Sequence, residues 1–134
     1  DIAAAREAQQ AMNSPKKNNR GILVDYDFFL DQLGEVGGDF IYAQALKPHL
    51  TLFSVMDVCG KGLKAAQMAM AMGAYFRSTF KYLCKTGVDA DYRSLKLMQR
   101  IKILNAMLTK STPSDMYASG AILLLDTRHN VLVY

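Results

Sequence analysis

Two aspartates set among glycines, with one apolar strand pattern between them, constrain this chain more than any other feature. The first lies in Gly37-Gly38-Asp39 and the second in Met56-Asp57-Val58-Cys59-Gly60-Lys61-Gly62. The stretch Leu50-Thr51-Leu52-Phe53-Ser54-Val55-Met56 reads as a buried strand that delivers Asp57 at its end. A carboxylate emerging there is costly unless a cation or strong hydrogen-bond donors compensate it. The flanking glycines permit tight turns and close approach of backbone to a ligand. Two hard oxygen ligands on adjacent strand ends suit Mg2+ or Mn2+. Asp39 and Asp57 are therefore the candidate metal ligands and catalytic residues.

The rest of the pattern places these residues in a fold. Residues 39–45 and 50–58 read as strands separated by Lys47-Pro48-His49, a gap short enough to predict an antiparallel hairpin. Residues 1–12 are rich in alanine and glutamine and predict a helix; Pro15 and Asn18-Asn19 end it. Residues 21–30 predict a further strand, with Ile22, Val24, Tyr26 and Phe28 on one face and Asp25 and Asp27 solvated on the other. A long helix is expected over residues 63–85, where Ala65, Ala66, Ala69, Ala71 and Ala74 allow close packing on a sheet. Met68 and Met72 share one face of it, and with Tyr75, Phe76 and Phe80 they read as core filler. Residues 91–110 carry Leu97, Ile101, Leu104 and Leu108 at helical spacing. Residues 116–125 and 130–134 predict strands around the turn Asp126-Thr127-Arg128-His129. The order is helix, three strands, two helices, two strands, which is an α+β arrangement.

Composition bounds the function classes. A length of 134 residues, 51% hydrophobic and 21% charged, suits one domain. No apolar run is long enough to span a bilayer and no signal peptide is visible, so no membrane insertion of this segment is expected; two cysteines without a disulfide framework fit a reducing cytoplasm. A chain that begins at Asp1 without a methionine is expected to be a fragment or a processed form. The net charge of +4 is spread rather than gathered into a stripe, which argues against nucleic acid. Cys59 and Cys84 make no disulfide framework, and the isolated His49 and His129 offer no zinc site.

The run Glu35-Val36-Gly37-Gly38-Asp39-Phe40 followed by Asp57-Val58-Cys59-Gly60-Lys61-Gly62-Leu63-Lys64-Ala65-Ala66 resembles the paired motifs of bacterial PPM-type metal-dependent serine/threonine protein phosphatases of the SpoIIE/RsbU branch. Ala5-Arg6-Glu7-Ala8-Gln9-Gln10 resembles the end of the linker helix that precedes such domains. The resemblance implies a linker helix and loop over residues 1–19, and the N-terminal portion of a phosphatase domain over 20–134. The fold it implies is part of a four-layer αββα sandwich with antiparallel sheets, the two middle helices covering one face. It implies that Asp39 and Asp57, with the backbone carbonyl of Val58, help hold two Mg2+ or Mn2+ ions that activate a water for attack on the phosphoester. Lys61 is a weak candidate for the substrate phosphate, and Glu35 for a supporting position. The implied substrate is a phosphorylated regulatory protein of the anti-sigma-factor antagonist type. The helix would connect an upstream sensory domain, and its paired arrangement in relatives leaves a homodimer open. Cys59 stands where the family usually has serine and reads as a small substitute, not a nucleophile. The family's later T-D-G and D-D aspartates do not occur between Asp1 and Tyr134, so this segment alone is expected to bind metal weakly.

Two other classes stay open at this point. One is a regulatory or protein-interaction module that keeps the fold without the chemistry. The other is a nucleotide-binding domain, since Gly60-Lys61-Gly62-Leu63-Lys64-Ala65 formally matches G-x-G-x-x-A. That motif needs a parallel βαβ unit, whereas here a hairpin precedes it and a second helix follows.

Overall fold

In the computed structural model, residues 2–13, 24–31, 34, 36–85 and 95–134 are described. The elements are α1 (Ile2–Asn13), β1 (Asp39–Lys47), β2 (Leu50–Val58), α2 (Gly62–Lys85), α3 (Leu95–Ser111), β3 (Ala118–Asp126) and β4 (Val131–Val133). The strands form one antiparallel sheet in the order β1-β2-β3-β4, so the fold is α+β, in keeping with a partial PPM-like architecture.

The hairpin forms as the spacing predicts. β1 and β2 pair from Asp39↔Asp57 to Lys47↔Leu50, with one irregularity between Ala45 and Lys47 at the turn. Alternation along the strands then separates two faces. Phe40, Tyr42, Leu46, Leu50, Leu52 and Val58 are buried on the side that α2 covers. Ala65, Ala66 and Ala69 are at most 2% exposed, and their small side chains let α2 approach the sheet. Farther along, the Phe76 ring meets Phe40 edge-on and Phe80 at a tilt, both at centroid distances of 5.6 Å, within the range of favourable aromatic pairs. Met72 joins this core, Met68 and Tyr75 pack against it, and Leu104 reaches it from α3. The two middle helices thus cover one face.

The other face carries Asp39, Ile41, Ala43 and Ala45 from β1 and Thr51, Phe53, Val55 and Asp57 from β2. It is only partly covered: Val55 is 53% exposed, while the Tyr26 ring packs edge-on against Phe53 at 5.4 Å.

The strand expected over residues 21–30 requires correction. Residues 24–30 join no ladder, and residues 21–23 lie outside the described residues. Their alternation is nonetheless as expected: Val24, Tyr26 and Phe28 are half-buried, and Asp25 and Asp27 are exposed. Alternation reports which side of an extended segment meets apolar surface. It does not report whether a partner strand is present. Residues 86–94, including the expected start of the second helix at 91–94, and Glu35 lie outside the described residues.

Candidate metal centre

The end of the β1–β2 hairpin brings the two aspartates together. Asp39 pairs directly with Asp57 across the ladder. One step outward, the Val58 amide donates to the Gly38 carbonyl at 3.1 Å. Paired positions in an antiparallel ladder alternate between hydrogen-bonded and non-hydrogen-bonded. The Asp39/Asp57 pair therefore falls on the closer, non-hydrogen-bonded type, with Cα atoms about 4.5 Å apart. Both carboxylates leave the sheet on the face opposite α2. Ser119 of β3 stands on the other side of Asp57 in the same row.

Gly38 makes this closeness sterically allowed. A β-carbon there would collide with the Val58 carbonyl oxygen and lie 3.1 Å from its carbon. The glycine is thus required for one strand to approach the other, not for a left-handed backbone. The Val58 carbonyl, the third expected ligand, lies against this Gly38 position. Beyond Val58 the chain turns through Gly60 (φ 97°) and Gly62 (φ 68°) into α2, a conformation that favours glycine.

The charges of the pair are in conflict. Partial burial, then the charge of Asp57 and a hydrogen bond with it, push the Asp39 carboxyl above the usual carboxylate range. Sequence reasoning assigned the desolvation to Asp57 at the end of a buried strand. Asp57 is in fact exposed and Asp39 half-buried, because the strand is buried by helices on one face and Asp57 points to the other. Two like charges held side by side on hard oxygen ligands are what a divalent cation relieves, so the donor set fits Mg2+ or Mn2+. Among the described residues, no third His, Cys, Asp or Glu joins the pair.

The remaining candidates are dispersed. Lys61 is exposed in the loop after β2, lining a shallow hollow with Cys59, Lys64 and Asp115. Lys64 forms an exposed ion pair with Asp115 at 3.4 Å. Cys59 is half-buried, and its Sγ accepts the Tyr117 amide at 3.1 Å, a structural role that ties the β2 end to the segment entering β3. The glycine-rich run does head α2, but the sheet it leaves is antiparallel among the described strands, so the βαβ unit of a dinucleotide site is not formed.

Sequence reasoning quoted Gln9 only within the linker-helix resemblance and gave it no role of its own. It is 2% exposed, and its side-chain amide pairs with the Gly37 peptide at both ends: Nε2 donates to the Gly37 carbonyl, and the Gly37 amide donates to Oε1 at 3.1 Å. A glutamine on an alanine-rich helix carries no local sign that it will be buried.

Residues 47–134 match the family model described as Stage II sporulation protein E (SpoIIE). The chain belongs to the SpoIIE family. The match covers Asp57 and the glycine-lysine-glycine turn and begins at the end of β1, so Asp39 joins the site through strand pairing. No curated protein and no solved structure matches the chain. Membership identifies a phosphatase-related domain of the SpoIIE-type PPM branch, in a family of signalling hydrolases that usually use magnesium or manganese. Among the described residues, no helix is long and apolar enough to cross a membrane.

Proposed function

We propose that this domain serves the metal-dependent hydrolysis of phosphoserine or phosphothreonine on a regulatory protein, of the anti-sigma-factor antagonist type. The observation that carries the reading is the direct cross-strand opposition of Asp39 and Asp57 on the face the helices leave open. In this reading the two carboxylates hold Mg2+ or Mn2+, with the Val58 carbonyl as a further oxygen. Bound ions of this kind polarise a phosphoryl group and lower the pKa of a water toward neutrality. The chain's own contribution is rigidity: the ladder fixes the spacing of the carboxylates, and Gly38 lets the strands close. Exposure of Asp57 leaves room for a phosphoprotein to approach from the open face. Lys61 is a weaker proposal, as a counter-charge for the incoming phosphate.

A second reading is favoured by the ligand count. Magnesium prefers about six oxygens in an octahedral array, and the described residues bring two carboxylates together. A module of this fold that binds partners without turnover fits that count. The deciding experiment uses the full-length protein and a phosphoserine peptide. Manganese-dependent release of phosphate is expected, and Asp57→Asn should reduce it by more than the ~10–100-fold typical of losing a group outside the ligand set. Turnover that ignores manganese, or survives in Asp57→Asn, would remove the dimetal reading.

A further inference from the structure

The cross-strand row that holds the aspartate pair has a third member. Register sets Asp39 opposite Asp57 and Asp57 opposite Ser119, so the three stand in line on the open face. The next row inward is Ile41, Val55 and Ala121, all apolar. Along β3 this face reads Ser119, Ala121, Leu123, Leu125, and its one hydroxyl stands at the aspartate end. Two residues outward, the Cys59 amide donates to the Tyr117 carbonyl at 2.9 Å. Asp57/Ser119 is therefore a hydrogen-bonded pair of the ladder, with Cα atoms about 5.5 Å apart. Gly120 keeps β3 this close, because a β-carbon there would collide with the Val55 carbonyl oxygen and lie 2.9 Å from the Met56 Cα. Directly opposed β-carbons are about 4.5–5.5 Å apart, a gap that a hydroxyl and a carboxylate close with one hydrogen bond.

We propose that Ser119 is a positioning residue for the metal centre: its hydroxyl donates to the Asp57 carboxylate from the β3 side and holds it turned toward Asp39, which raises the affinity for the divalent ion. This role rests on the metal reading of the aspartate pair given above. An ionised carboxylate accepts at about four lone-pair positions and donates at none. A cation shared with Asp39 occupies the side facing β1 and leaves the side facing β3 in need of a donor. Within these two rows Ser119 carries the one side-chain hydroxyl, and a hydrogen bond to a charged acceptor is stronger than one between neutral groups. Asp57 is exposed, so water competes for the same oxygen. Water must be immobilised to do so, whereas the ladder already fixes Ser119.

The test uses the full-length protein with Mn2+ alone as the probe, free ion being measured by electron paramagnetic resonance. Ser119→Ala should weaken Mn2+ binding by about tenfold, the low end of the range for groups that orient metal ligands, because water partly replaces the hydroxyl. Ser119 is exposed, so the urea midpoint should stay that of wild type. Ser119→Thr and Ser119→Val share one shape, both suit a strand, and they differ in the hydroxyl. Thr should bind Mn2+ within about twofold of wild type, and Val as weakly as Ala. A positioning residue acts through its ligand, so turnover of a phosphoserine peptide by Ser119→Ala should recover at saturating Mn2+. Equal Mn2+ affinity in the Thr and Val variants, or wild-type affinity in Ser119→Ala, would overturn the proposal. Turnover that stays low at saturating Mn2+ would overturn it too, by placing the hydroxyl on the substrate instead of on Asp57. Asp57→Asn separates the two levels. Binding lost in Asp57→Asn but kept in Ser119→Ala refutes the positioning role alone, whereas binding kept in Asp57→Asn refutes the metal reading beneath it.

Discussion

Replacing Gly38 by alanine tests the idea that the aspartate pair depends on one missing β-carbon. The new atom would collide with the Val58 carbonyl oxygen and lie 3.1 and 3.3 Å from the Val58 carbonyl carbon and Cα. All three are backbone atoms of a paired strand, so no side chain can swing aside and the strands must part. Parting them breaks the Val58–Gly38 hydrogen bond of 3.1 Å, a loss of about 0.5–1.5 kcal/mol. Forced overpacking adds about 1–3 kcal/mol, while alanine's smaller unfolded-state entropy returns about 0.4–1 kcal/mol. The expected net loss is about 2 kcal/mol. Urea unfolding followed by far-ultraviolet circular dichroism measures it through the midpoint at constant slope. Gly34→Ala is the matched control, since its β-carbon would meet only the Val36 carbonyl oxygen at an ordinary 3.5 Å; its change should stay within about 0.5 kcal/mol. Gly38→Ala as stable as wild type would refute the steric argument and with it the close pairing of β1 and β2 at this end.

Three further outcomes follow from the same structure. Ser54 is fully buried with an Oγ that has no hydrogen-bond partner among the described residues, so Ser54→Ala should be neutral or stabilising by up to about 1 kcal/mol in the same urea assay. Phe80 is 0% exposed in the aromatic cluster on α2, and Phe80→Ala should cost about 3–5 kcal/mol, read by thermal or chemical unfolding. The Asp126 carboxyl is pulled up by burial but more strongly down by hydrogen bonds from the His129 ring and the Arg128 and His129 amides and by the His129 charge, for a net lowering. Its contribution to stability is present above the unfolded carboxylate value near 3.9 and is lost as pH falls through the lower folded value; Asp126→Asn should therefore flatten the acid limb of a stability-versus-pH profile.

Local pattern along the chain was enough for the elements whose formation depends on near neighbours. Period-two alternation and a short polar gap were enough for the β1–β2 hairpin, and alanine content with helical spacing was enough for α2 (Gly62–Lys85). Glycines beside Asp39 and Asp57 singled out the two as candidates before any fold was known, and the hairpin register then brought them side by side. Tertiary structure decided what pattern cannot encode. The alternation of residues 24–30 was legible, yet they join no ladder, because pairing depends on which strand edge is within reach. Asp57 ends a buried strand but is exposed, because burial belongs to one face and only the docking of α2 says which. The role of Gly38 is to make room for the Val58 carbonyl, a contact twenty residues away that no local propensity contains. Gln9 is the clearest case: its amide is paired to a peptide 28 residues distant, and a polar side chain is buried where the folded chain supplies both a donor and an acceptor for it.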